Sequence, residues 1–181
     1  MLRSLNQIKG YSLDAVDEKL GNVDDFYFDD EQWVIRYLVA DTGNWLPGRL
    51  VLIAPYFIDK PEPEEKAVGV HLTKKQIEES PPIDSDKPVS KQKESELLNY
   101  YGLPVYWVGM DPDIIGNTPV PPPSDEEVKN MQSKTKGNPH LGSTREVMGC
   151  QSKELDGESG DVEEFVWEED EWMIRYCCIE R

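Results

Sequence analysis

The chain has 181 residues, 38% apolar and 30% charged, and a formal net charge of −17. That length holds one ordinary domain or two small ones with thin cores, and the charge argues against nucleic-acid and anionic-lipid binding, which need a cationic footprint. The longest apolar run, Leu50 to Ile58, is broken by Pro55 and falls short of the roughly 20 residues of a spanning helix, so no transmembrane segment is expected.

In chain order, the first half reads as short strands with turns between them. Ser4 to Ile8 is a first strand, Gly10 a turn and Tyr11 to Ala15 a second strand. Val16 to Gly21 is a polar turn closed by glycine, the residue that tolerates positive φ. A hairpin follows: Val23 to Phe28 and Trp33 to Ala40 are rich in aromatic and β-branched residues, and Asp29 to Gln32 is a turn of hairpin length. Alternation puts Trp33, Ile35, Tyr37 and Val39 on one face and Val34, Arg36, Leu38 and Ala40 on the other. Both faces are largely apolar, which predicts a central strand.

Thr42 to Gly48 is a turn, Arg49 to Ala54 an apolar strand and Ala67 to Leu72 another, with the polar insert Asp59 to Lys66 before it. Thr73-Lys74-Lys75-Gln76 is a capping box opening a short helix that ends before Ser80-Pro81-Pro82. Pro81 to Pro88 is extended and acidic, and Ser90 to Tyr101 is helical, stopped by Gly102. Leu103 to Val108 is an apolar-aromatic patch of the kind that docks on a domain. From Asp111 to Pro139 the composition turns to proline, serine, asparagine and lysine, a linker with polyproline character at Pro121-Pro122-Pro123.

The hairpin motif is written twice. Gly21, Val23, Phe26, Trp33, Ile35, Arg36 and Tyr37 match Gly160, Val162, Phe165, Trp172, Ile174, Arg175 and Tyr176 at one constant offset, and the acidic turns Asp29-Asp30-Glu31 and Glu168-Glu169-Asp170 match as well. Three units follow: a barrel over 1–84, a connecting segment over 85–140 and a partial repeat over 141–181. After Arg175-Tyr176 the repeat is expected to stop short. A half barrel leaves an open strand edge and an unburied apolar face, which dimerisation or docking on the first barrel would relieve.

The segments LRSLNQIKGYSL, KLGNVDDFYFDD, WVIRYLVADTGNWLPGRLVLIAP and HLTKKQIEESPPID together resemble the PRC-barrel domain, named after the cytoplasmic domain of the photosynthetic reaction centre H subunit. The resemblance covers roughly Met1 to Asp84 and recurs in part at Leu141 to Arg181. It implies a mainly β fold, a small six-stranded barrel, in agreement with the strand reading. More remotely the chain resembles the C-terminal domain of the ribosome maturation factor. The chain also resembles the soluble, often two-copy PRC-barrel proteins of bacteria. Neither the membrane helix of the H subunit nor the separate N-terminal domain of the ribosome factor is expected here.

Catalytic signatures are not expected: there is no phosphate loop, nucleophile elbow or HExxH motif. Asp24-Asp25 and Asp29-Asp30 lack the calcium-loop spacing and read as solvated turn acids. His71 and His140 stand apart from each other and from any cysteine, so no metal or cofactor is expected. Cys150 and the adjacent Cys177-Cys178 form neither a disulfide framework nor a CxxC site, which, with no secretory leader, points to the cytoplasm. Arg36 and Arg175 are expected to pair with the turn acids or stack on Trp33 and Trp172 as a structural latch. The expected function is a non-enzymatic interaction module whose exposed aromatics, Trp45, Tyr100, Tyr101 and Trp107, meet a protein partner with basic patches or a second copy. The rival readings are an H-subunit-like component of a membrane complex, a ribosome-assembly factor and an acid-base enzyme built from scattered residues.

Overall fold

The computed structural model describes residues 1–84, 89–106, 141–148, 150–153 and 159–180. The expected linker, Trp107 and His140 lie outside the described residues. In chain order the elements are β1 (Leu2–Ser4), β2 (Ser12–Ala15), β3 (Lys19–Asp29), β4 (Ile35–Asp41), β5 (Arg49–Ile53), β6 (Ala67–Val70), α1 (Lys74–Glu78), β7 (Ile83–Asp84) and α2 (Lys91–Tyr100). Then come β8 (Leu141–Ser143), α3 (Thr144–Val147), β9 (Gln151–Lys153), β10 (Ser159–Glu168) and β11 (Met173–Glu180). The fold is mainly β.

One sheet runs β6-β2-β3-β4-β5-β7, with β8 added beside β3, and only the β2–β6 pair is parallel. Val68 and Val70 from β6 share a buried core with Val51 and Ile53 from β5, which requires the sheet to curl until its two sides meet. Ile77 of α1 plugs this core. The capping box at Thr73 and Gln76 is formed as expected, and Arg49 donates to the carbonyls of Ile77, Glu78 and Ser80 at 2.7–2.9 Å, satisfying the open end of α1. On the outer face of β4 and β5, α2 buries Leu97 and Leu98 against Tyr37, Val39, Leu52 and Ile83, and Leu103, Val105 and Tyr106 dock on the same cluster.

Three expectations need correction. The first strand is β1 alone, because the Ser4 side chain accepts from the Asn6 backbone N–H at 3.1 Å and turns Leu5–Gln7 into a 3-10 helix. Gly21 does not close a turn; it sits inside β3 at φ 145°, where a Cβ would meet the Asp41 carbonyl oxygen at 1.9 Å. The simple alternation along β4 also fails. Tyr27 faces Tyr37 but Phe28 faces Ile35, so Arg36 is a bulge residue that puts Ile35 on the same side as Leu38 and Ala40, opposite Tyr37 and Val39.

The β10–β11 hairpin reproduces β3–β4 at an offset of 139 (160 − 21 = 139). The register shifts between Val23/Asp25 and Tyr27/Phe28 return between Val162/Glu164 and Val166/Trp167. Both turns hold a tryptophan at positive φ, 59° at Trp33 and 52° at Trp172.

The two hairpins exchange their leading strands. β1 pairs with β10, Ser4 opposite Val166, while β8 pairs with β3, Ser143 opposite Tyr27. At the centre Val34 bridges its own counterpart Met173, and the Ile35 and Ile174 amides donate to the Trp172 and Trp33 carbonyls at 2.7 and 2.8 Å. The contact thus has approximate twofold symmetry within one chain. Phe165 and Trp167, both fully buried, enter the core of the first sheet. At roughly 1.5–3 kcal/mol for each such side chain, detaching the second hairpin would cost much of a domain's stability.

Candidate interaction surface

The inner contact between the hairpins is polar at its ends and aromatic in its middle. Asp25, buried, accepts from Ser143 Oγ, from Thr144 Oγ1 at 2.6 Å and from the Arg145 backbone N–H at 3.1 Å. Across the twofold, Ser4 Oγ donates to Glu164, the counterpart of Asp25. Phe28 and Phe165 lie 5.8 Å apart by ring centroids, and Phe26 and Trp167 6.3 Å. Desolvation lowers the Lys9 amine, with the Asp25 charge opposing it.

The two arginines reach carboxylates of their own hairpin turns. Arg36 Nη2 donates to Gln32 at 2.6 Å and Asp29 at 3.3 Å; Arg175 Nε donates to Glu168 at 2.9 Å and its Nη2 pairs with Glu171. Stacking falls elsewhere than expected: the Arg36 guanidinium lies 3.8 Å from the Tyr106 ring centroid. Trp33 instead stacks on Phe28 at 5.4 Å and Trp172 meets Trp167 edge-on at 4.8 Å, contacts that offset their left-handed backbone.

The expected aromatic surface is divided. Trp45 is half-buried and tied into the fold: its Nε1 donates to the Leu20 carbonyl at 2.9 Å, and Lys74 Nζ lies 4.9 Å from its ring centroid. Tyr100 and Tyr101 continue a ridge that sequence reasoning missed. Ring centroids step from Tyr56 to Phe57 at 5.1 Å, to Tyr101 at 5.3 Å and to Tyr100 at 4.9 Å. Tyr56 is 76% exposed and Tyr100 41%. A Pro-led 3-10 turn over Pro55–Phe57 and the last turn of α2 bring these rings together.

Acids shape the remaining surface. His71 Nε2 lies 2.7 Å from Asp59 on the exposed rim of an open pocket of about 480 Å³ lined by Asp14, Lys60, Glu62 and Glu65. A second pocket, of about 180 Å³, lies between Ile58, Pro61, Trp167, Trp172 and Asp170. Asp170 there receives Lys60 and, at 2.9 Å, the Met1 ammonium; hydrogen bonding to these cations holds its carboxyl down at about 2. No group of His, Cys, Asp and Glu among the described residues is arranged to hold a metal ion. No described helix is long and apolar enough to cross a membrane.

Among curated proteins, none matches the chain. A family model does match, over residues 3–76, which run from β1 through most of α1 and so include the curled sheet up to β6. That match agrees with the mainly β architecture and the helix plugging the curled sheet: residues 3–76 match the PRC-barrel domain.

Proposed function

We propose that the chain is a cytoplasmic, non-enzymatic interaction or assembly module that docks proteins bearing basic patches. In this reading 1–84 is the barrel, 85–140 connects, and 141–181 is a partial second copy whose hairpin docks on the first. The observation that carries it is the Tyr56–Phe57–Tyr101–Tyr100 ridge, a run of touching rings exposed at its two ends, Tyr56 and Tyr100, and anchored by half-buried Phe57 and Tyr101, on a chain of net charge −17. Tyrosines supply large contact area at low conformational cost, and an anionic surround steers cationic partners. Exposed Glu78 and Glu79 at the end of α1 lie near the ridge, since Tyr100 Oη donates to the Gln76 carbonyl at 2.9 Å.

The test is affinity purification of the full chain beside a Tyr56→Ala/Tyr100→Ala variant, with bound proteins quantified by mass spectrometry. A defined partner should be recovered with the parent, released by moderate salt and depleted at least fivefold with the variant. Equal recovery by both proteins would refute the ridge as the docking site.

A further inference from the structure

The two hairpins share a backbone design but differ in what covers the second arm. β5 pairs with β4 through Leu38 and Ile53, Val39 and Leu52, and Ala40 and Val51. Tyr37, Leu38 and Val39 are accordingly at most 2% exposed. Their counterparts Tyr176, Cys177 and Cys178 are all exposed, Tyr176 at 59%. Apart from the bridge from Met173 to Val34, β11 pairs among the described residues only with β10, so its other edge presents backbone donors and acceptors.

The charges beside that edge differ between the copies too. Asp24 pairs with the Arg145 guanidinium, which the exchanged arm supplies. Its counterpart Glu163 pairs with no cation among the described residues, and its backbone carbonyl accepts from Asn6 Nδ2 at 3.4 Å. The Glu163 carboxyl instead shares a hydrogen bond with Glu180 and is raised above the ordinary carboxylate range by it, with Glu164 and Asp161 adding to the effect. Two carboxyls thus lie together where the first hairpin holds a cation.

We propose that β11 is an acceptor edge for an extended, apolar-centred segment of a basic partner protein, which adds antiparallel along Arg175–Glu180 as β5 adds to β4 and sets a Lys or Arg beside Glu163 and Glu180. Strand addition supplies main-chain hydrogen bonds, and the alternate side chains cover Tyr176 and Cys178. Continuing the β5 register by one residue puts the incoming equivalent of Leu50 opposite Glu180, which fixes where the cation belongs. A second copy is the poorer occupant, because an antiparallel β11–β11 pair centred on Cys177 and Cys178 would set the partner's Arg175 opposite Glu180, and that guanidinium is already held by Glu168 and Glu171. The inference deepens the docking reading and rests on it for the basic character of the partner.

The probe is a fluorescein-labelled peptide with the sequence of Gly48–Ala54 and its Leu50 replaced by lysine, added to the full chain. Anisotropy should show saturable binding in low salt, and hydrogen exchange should slow at least tenfold within 175–180. A peptide carrying Glu at both Arg49 and Leu50 should bind at least tenfold more weakly, and the Glu163→Lys/Glu180→Lys protein should reverse that preference. Absence of saturable binding, binding without slowed exchange in β11, or equal affinity for both peptides would overturn the proposal. So would protection of β11 that rises with protein concentration alone alongside a dimer in light scattering. A natural partner lost with Tyr56→Ala/Tyr100→Ala but leaving β11 unprotected would sink this inference and leave the docking reading standing.

Discussion

Replacing Asp25 with alanine asks whether the second hairpin hangs on one buried carboxylate. Asp25 is 4% exposed and takes three donors from the exchanged arm: Ser143 Oγ, Thr144 Oγ1 and the Arg145 backbone N–H. A hydrogen bond to a charged group contributes roughly 1.5–3 kcal/mol, and a donor left buried without an acceptor costs roughly 1–3 kcal/mol. The three donors share one acceptor, so their losses do not add, and a total of about 3–5 kcal/mol is expected. For a chain of this length that corresponds to a fall in Tm of roughly 10 °C. Glu164→Ala, at the counterpart position, removes a half-buried carboxylate that accepts from Ser4 Oγ, and should cost only about 1 kcal/mol. Urea denaturation measures both, and hydrogen exchange locates the damage: Asp25→Ala should accelerate exchange in Leu141–Val147 and Tyr27–Asp29 before the rest. If the two substitutions cost the same within about 0.5 kcal/mol, or exchange in Leu141–Val147 is unchanged, the reasoning is wrong.

Gly21→Ala should cost more than about 3 kcal/mol in denaturant unfolding, since the new Cβ would sit 1.9 Å from the Asp41 oxygen at φ 145°; Gly10→Ala, at φ 82° but with nothing within 4 Å, should cost only about 1 kcal/mol. The Asp170 carboxyl, held at about 2 against an ordinary 3.8, should show a midpoint near 2 by NMR titration and return toward 3.8 in Lys60→Ala. Because its folded value is depressed, its stabilising contribution is complete above the ordinary value and is lost as pH falls through about 2. Tyr37 and Tyr106 are both raised above 10, by burial first and by Glu94 next, so their contribution is complete below pH 10 and is lost as pH rises beyond it. In a titration at 295 nm carried to about pH 11, Tyr37→Phe and Tyr106→Phe should leave the phenolate amplitude of the folded protein unchanged.

The elements legible in the sequence are those whose causes are local. Aromatic and β-branched runs gave β3, β4, β10 and β11; the Thr73–Gln76 box placed α1, and Ser90 and Gly102 bracket α2. The partners of β1 and β8 were not legible, because a strand of three residues carries too little pattern to specify its neighbour. The bulge at Arg36 is likewise invisible in a regular alternation, although its consequence, which residues face which core, spans the whole of β4. A signal for the exchanged arm was present: Ser4 and Ser143 stand at the same offset as the hairpins (143 − 4 = 139), and each caps a helical turn while reaching the other half. Tyr56 escaped notice because its ridge assembles rings from residues more than forty positions apart.

The strand exchange also sets a timetable for synthesis. The stretch of β3 at Tyr27–Asp29 receives its neighbour only when Leu141–Ser143 leaves the ribosome, more than a hundred residues later. At about 5–20 residues per second that interval is roughly 6–23 s, during which the nascent chain carries an unfilled sheet margin that a chaperone or a neighbouring nascent copy can reach first.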